Sequence, residues 1–395
     1  MSANANISLH SDVSYMLTEL EAAGFEAYVV GGFVRDALRG KPAGDCDVTT
    51  SALPEEIKRV FSHLRTIDTG IKHGTVTVMY RKKPYEITTY RVDGSYADSR
   101  HPDEVSFTAS LEDDLARRDF TVNAMAYSEV RGLVDIFGGR ADLESKTIRA
   151  VGDPSTRFSE DALRILRAVR FASVLDFEID EATRAAIFTE AHRLASVSAE
   201  RKLVELRKLL TGEGAYRILT GYSDLISQEL SGIERISLPK ESDFAILSGE
   251  DRLITLFYLS AEDPASAFCD SMRRLKSDKQ SERFGSSVLS VMSDDLAGDR
   301  LYERILDDGI AVVNKASELL ALFGRASESE RLAALMSNGR PTTLRELAID
   351  GKTLMEFGVK GREVGILLRR AVIAVMRGDV ENDREEIIRY IKTGL

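Results

Sequence analysis

The sequence predicts an α+β protein: a small mixed β-sheet with flanking helices near the N-terminus, followed by a remainder that is helical. Three observations carry this. Between Ala27 and Tyr90, short apolar or alternating runs are broken by Gly and Pro, the pattern of strands and turns. From Ser159 onward, apolar positions recur at helical spacing. A chain of 395 residues is too long for one ordinary core, so two to four domains are expected.

Composition narrows the class. With 43% hydrophobic and 30% charged residues, the chain reads as soluble and globular. It has no apolar run of the roughly 18 residues that a membrane span needs. Residues 1–10 are polar and lack a signal-peptide core. Two cysteines, Cys46 and Cys269, form no metal or disulfide framework, which fits a reducing cytoplasm. Cys46, set between two aspartates, reads as a small filler and not as a nucleophile. The net charge of −11 argues, taken alone, against a nucleic-acid partner. Distribution matters more than the sum. Arg201, Lys202, Arg207 and Lys208 stand against the single acid Glu205, a local basic track that would give salt-sensitive binding.

The elements follow in order. Val13, Met16, Leu17 and Leu20 line one face of a helix that stops at Gly24. Ala27-Tyr28-Val29-Val30 is the first strand. It runs into Gly31-Gly32 and a helix from about Phe33 to Arg39, with Gly40 as its stop. Two glycines before a helix let backbone approach a ligand, and the N–H groups of a helix start favour an anion such as a triphosphate. Gly32 is therefore a candidate phosphate contact, and Arg35 adds a side-chain clamp on the same group. Asp45 and Asp47 lie two apart in a short β-like run and so share a strand face. Side-by-side carboxylates repel unless neutralised. A hard cation does this, and Mg²⁺ takes carboxylate oxygens together with substrate phosphates. A solvated turn can carry a lone Asp-x-Asp; the glycine pair, Arg35 and the aspartates together make a far more specific pattern, that of nucleotidyl transfer. Pro54 opens a helix through Phe61, with Glu55 and Glu56 in its favoured acidic first turn. Thr75–Tyr80 and Tyr85–Tyr90 alternate and read as a hairpin about the turn Arg81-Lys82-Lys83-Pro84. Residues 91–107 are polar, contain Gly94 and Pro102, and read as a long loop.

The glycine pair and aspartate pair resemble the nucleotidyltransferase superfamily typified by polymerase β. The wording is similar to its bacterial class II tRNA branch, the CCA-adding enzymes and their poly(A) polymerase relatives. Arg117-Arg118-Asp119-Phe120-Thr121-x-Asn123-Ala124 closely matches that family's second motif. The resemblance implies that Arg118 pairs a phosphate and that Asp119 accepts from ribose hydroxyls, favouring ribonucleotides. A helix start capped by Asp119 is the plain structural alternative. The family supplies a third acid near the metals at the position of Glu86, which would look the same as an exposed strand glutamate. The family's flexible loop occupies residues 91–107 and is linked to the switch from C to A addition. Asp135-Ile136-Phe137-Gly138-Gly139 matches a motif that works as a hinge between head and neck.

Ser159–Phe171 reads as a helix with Ser159 as N-cap and Glu160 and Asp161 in its first turn. Asp161, Arg164, Arg167 and Arg170 recur every three residues, a stripe that an ordinary ion-pair ladder would also explain. The resemblance assigns Glu160-Asp161-x-x-Arg164 to nucleotide selection. Cytosine and adenine each offer an amino donor beside a ring-nitrogen acceptor. A carboxylate and a guanidinium match that edge and repel uracil and guanine. Glu160 would orient Arg164, while Arg167 and Arg170 would reach phosphates or the primer end. Residues 199–210 resemble the motif that supports this helix.

The resemblance therefore implies a head over residues 1–148, a neck over 149–212, a body over 213–310 and a tRNA-binding tail over 311–395. The expected activity is addition of C, C and A to the 3′ end of tRNA from CTP and ATP, with Mg²⁺ held by Asp45 and Asp47. Rivals are a poly(A) polymerase, an enzyme adding only CC or only A, and an RNA-binding scaffold without activity. The five histidines at positions 10, 63, 73, 101 and 192 form no metal-phosphohydrolase pair.

Overall fold

A seven-stranded mixed sheet occupies the N-terminal part of the chain, and helices dominate the rest. The computed structural model describes residues 7–42, 44, 46–93, 105–325 and 328–393. Asp45 and residues 94–104, the middle of the loop expected over 91–107, lie outside the described residues. The chain divides into two compact units, Met1–Ile218 and Leu219–Leu395.

In the first unit, α1 (Ser11–Ala22) precedes β1 (Ala27–Val30), α2 (Gly32–Leu38), β2 (Asp47–Thr50) and α3 (Pro54–Val60). Then come β3 (Arg65–Gly70), β4 (Thr75–Tyr80) and β5 (Lys83–Thr89). The sheet is completed by two short strands later in the chain, Ala126–Ser128 and Gly132–Val134. The spatial order runs β3-β4-β5-β2-β1 and then those two. β2 and β5 pair parallel, while every other neighbour is antiparallel. Parallel pairing aligns Val48 with Ile87, both fully buried. It therefore turns Asp47 and Glu86, one step back on each strand, to the opposite face. Val13, Met16, Leu17 and Leu20 are buried against that core, each worth about 1.5–3 kcal/mol by removal from water.

Three local expectations change. The hairpin turn is only two residues, Arg81 and Lys82, both at positive φ, so Lys83 and Pro84 join β5. A tight turn of this kind matches the right-handed twist of the flanking strands. The ends of the expected loop are a paired ribbon, β6 (Arg91–Asp93) antiparallel to β7 (Val105–Phe107). The single helix expected from Ser159 is two: α6 (Pro154–Glu160) and α7 (Leu163–Leu175), with α4 (Leu111–Ala116) and α5 (Gly139–Glu144) between the ribbon and α6. Asp153 caps α6 ahead of Pro154 at the first helical position. Asp161 then leaves the helix in an extended conformation, and its Oδ1 accepts the Leu163 N–H at 3.0 Å, opening α7. Beyond α7, α8 (Glu181–Glu190) leads to α9 (Ala199–Leu210), which packs on α7.

The second unit is all-helical among the described residues, with helices such as Gly249–Ser260, Pro264–Arg274, Lys279–Met292 and Arg362–Arg377. Phe257 and Phe268 meet edge to face at 5.2 Å in its core. Its described helices are not long and apolar enough to cross a membrane, and neither are those of the first unit.

Candidate active site

A cleft of about 480 Å³ opens in the first unit. One wall comes from the sheet and its loops: Gly31, Gly32, Arg35, Asp47, Arg118 and Asp119. The other comes from the α6–α7 junction and α9: Asp161, Arg164, Arg167, Phe171 and Arg201. Elements far apart in sequence thus converge on one polar cavity.

The glycine pair sits at the floor. Gly31 has φ 69°, a backbone that L side chains rarely adopt. A Cβ there would lie 3.1 Å from Arg118 Nη1, so the missing side chain is what lets this guanidinium lie against the turn. Arg35 is already tethered. It bonds its neighbour Asp36 through Nε and Nη2 at 2.9 and 2.7 Å, and Nη1 donates to Asn123 Oδ1 at 2.8 Å.

Asp119 is hydrogen-bonded through both carboxylate oxygens. Its Oδ1 accepts from the Phe120 N–H at 2.8 Å and Asn123 Nδ2 at 3.2 Å. Its Oδ2 accepts from Arg167 through Nε at 2.8 Å and through Nη2. Burial raises the Asp119 carboxyl, and the Arg167 charge overcomes this, bringing it down to about 2. Arg167 is raised in turn, chiefly by Asp119.

The α6–α7 junction holds the second cluster. Arg164 is buried, and its Nη1 donates to Glu160 Oε2 at 2.5 Å and to the Arg157 carbonyl at 3.0 Å. Its Nη2 donates to the Arg117 carbonyl at 2.8 Å, linking α7 to the second motif. Asp161 Oδ2 accepts from Arg201 on α9 at 2.7 Å. Glu160 also binds Arg157, at 2.9 Å, so it fixes the guanidinium that fixes the junction.

Not every sequence candidate reaches the cleft. Arg170 bonds Glu205 on α9 at 2.8 Å and stacks 3.4 Å over the Phe171 ring. Burial lowers its guanidinium. Glu86 is exposed on β5, beside Asp47 by strand register but outside the cleft lining. Cys46 is half-buried, and burial with the Asp47 charge pushes its thiol up to about 12, so it carries no nucleophilic thiolate at neutral pH. A hard divalent cation fits the oxygen donors at this edge, where Asp47 lines the cleft with Glu86 next to it. Among the described residues no three His, Cys, Asp or Glu side chains converge on one metal position.

Several cleft residues escaped sequence reasoning. Asn123 stood inside the second motif, and its spacing from Asp119 was the available signal. Arg201 belonged to the basic track, which gave its charge but not its direction. Phe171 ends the expected helix with no functional signal of its own; in the fold, the Arg35, Arg167 and Arg170 guanidiniums all lie within 5.5 Å of its ring centroid.

Comparison with known proteins matches this geometry. Residues 27–149 match the family model described as Poly A polymerase head domain, and residues 176–224 match the probable RNA and SrmB-binding site of polymerase A. The chain is 37% identical over 390 residues to the CCA-adding enzyme of Streptococcus suis, covering 95% of each chain. It is 38% identical over 392 residues to that of Pediococcus pentosaceus, covering 96% of this chain and 97% of the relative. The fold is similar to the crystal structure of the Bacillus stearothermophilus CCA-adding enzyme in complex with CTP, with a TM-score of 0.76 and 32% identity over 100% of this chain and 98% of the other. This chain belongs to the CCA-adding enzyme family.

Proposed function

We propose that the chain adds C, C and A in turn to the 3′ end of tRNA, using CTP and ATP and releasing pyrophosphate, without a nucleic-acid template. The observation that carries this reading is the single cleft in which Asp47 and the Arg118-Asp119 pair face Asp161 and Arg164. Along its length the chain covers nearly all of relatives named for that activity.

The base-reading chemistry follows from donor counts. A guanidinium has five N–H donors. Arg164 commits three of them to Glu160 and to the carbonyls of Arg157 and Arg117. The remaining two are held in a fixed direction, suited to a ring nitrogen of cytosine or adenine. Asp161 accepts from Arg201 and Leu163, and a carboxylate retains further lone pairs for an amino group. Uracil and guanine present a carbonyl to Asp161 and an N–H to Arg164, which repels both. Asp119 is ionised at neutral pH and accepts from ribose, while Arg118, Arg35 and Gly32 face the triphosphate. Arg167 holds Asp119, and Arg170 braces the helix through Glu205.

Asp45 and Asp47, with Glu86 alongside, are the residues to hold Mg²⁺. When bound, it supplies Lewis-acid activation of the primer 3′-hydroxyl and charge neutralisation on the leaving pyrophosphate. Head, neck, body and tail are assigned to residues 1–148, 149–212, 213–310 and 311–395, with the tail gripping tRNA. The cytoplasm is the compartment this substrate implies. Incubation with a tRNA lacking its CCA end tests the reading. Extension by three nucleotides with both substrates, and by two with CTP alone, is the expected result. A long A ladder would reassign the chain to poly(A) synthesis, and no extension would leave an RNA-binding scaffold.

A further inference from the structure

Asp114, on α4, is fully buried and lines no part of the cleft. Its two oxygens nevertheless lie within hydrogen-bonding distance of five donor atoms. Oδ1 takes Arg117 Nε at 3.0 Å, Arg117 Nη2 at 2.8 Å and the Arg91 backbone N–H at 3.4 Å. Oδ2 takes Arg118 Nη2 and Thr49 Oγ1 at 3.4 and 3.3 Å. An isolated carboxylate removed from water is costly, and its placement needs a compensating role. Here the partners supply one, since Arg117 and Arg118 both line the cleft.

Two adjacent guanidiniums in a partly dehydrated wall repel each other unless a counter-charge sits behind them. Asp114 is that charge. Burial pushes its carboxyl up and the Arg117 and Arg118 charges pull it down further, leaving it below the usual carboxylate range and ionised at neutral pH. Arg118 is thereby located from two sides, by Asp114 behind and by the Gly31 backbone beneath. Its Nε is buried without a hydrogen-bond partner among the described residues. Thr49 adds a link to β2, the strand that carries Asp47, and shares its face.

We infer that Asp114 is a positioning residue for the phosphate end of the nucleotide site, acting through Arg118 and setting that guanidinium over the Gly31-Gly32 turn. This rests on the nucleotidyltransferase reading above. It predicts a defect in nucleotide affinity without a defect in choice of base, because Asp161 is held by Arg201 and Leu163 and Arg164 is held chiefly by Glu160 and the Arg157 carbonyl.

The test is equilibrium binding of CTP, ATP and UTP to the full chain in the absence of tRNA. Asp114→Asn is expected to weaken CTP and ATP alike by about tenfold to a hundredfold, the range for losing a charged hydrogen-bond partner. The preference for CTP over UTP should stay as in the wild type. In an Arg118→Ala background the same change should add little, because its route is already gone. Affinity within about twofold of wild type, or losses that simply add in the double variant, overturns the inference. Absence of any CTP or ATP binding by the wild-type chain overturns the nucleotidyltransferase reading as well. Should Asp114→Asn fail to fold, the charge-balanced pair Asp114→Asn with Arg117→Gln is scored against Arg117→Gln alone. A further loss of affinity in the pair supports the inference, and equal affinity overturns it.

Discussion

Replacing Asp119 by Asn perturbs two properties at once, and the structure sets the size of both. The folded carboxyl is brought down to about 2 from an ordinary value of about 4, a difference worth about 2–3 kcal/mol of stability. Asp119 is 9% exposed while the Arg167 side chain is 33% exposed, so water partly screens the pair and the lower end applies. Because the folded value is depressed, this stability is present above the unfolded value and is lost as pH falls through the folded one. The gap between wild type and Asp119→Asn should therefore be constant from neutral pH down to about 5 and close between about 4 and 2. Urea unfolding at stepped pH measures it. The second effect is on sugar choice. On the proposed role of Asp119 at the ribose, the variant loses the accepting charge, so the preference for CTP over dCTP should fall by about tenfold or more. Both outcomes rest on the same carboxylate. A stability gap under about 0.5 kcal/mol near neutral pH, together with an unchanged CTP to dCTP ratio, would refute the assignment.

Two further substitutions divide the cleft. Asp47→Ala should abolish addition of both C and A while leaving tRNA binding largely intact, measured by primer extension beside a binding titration; near wild-type extension would remove Asp47 from the metal site. Arg164→Ala should raise incorporation of UTP and GTP relative to CTP and ATP by about tenfold, in line with about 1–3 kcal/mol for a well-placed base contact. It should also cost about 1–3 kcal/mol of stability, because the Arg157 and Arg117 carbonyls lose a donor. Unchanged fidelity at an unchanged rate would return the stripe on α7 to an ordinary ion-pair ladder.

Much of the head was legible because its signals are local. The apolar face of α1, the strand before Gly31, and Pro54 at the start of α3 each follow from spacing or capping within a few residues. β3 was missed because Arg65–Gly70 is a polar edge strand, defined by its pairing with β4 and not by its own pattern. The break between α6 and α7 was missed because Glu160 and Asp161 suit a helix start, while the decisive events are the Asp153 cap upstream and the Asp161 contact with Leu163. The cleft was legible as residue types and not as directions. Asp161, Arg164 and Arg167 point into it, whereas Arg170, one turn further along the same stripe, is drawn off by Glu205 on α9. Asp114 was illegible for a similar reason. In sequence it is the last of three acids, Glu112, Asp113 and Asp114, that resemble a solvated helix start, and only the fold buries it between two arginines.

On the proposed mechanism, one protein surface, with Asp161 and Arg164 as its reading pair, accepts both C and A. Competition binding without tRNA tests this most directly. ATP should displace CTP fully from a single site, with a dissociation constant for displacement equal to that for direct ATP binding, and UTP and GTP should displace it poorly. Incomplete displacement at saturating ATP, or displacement by all four nucleotides alike, would contradict a single base-reading cleft.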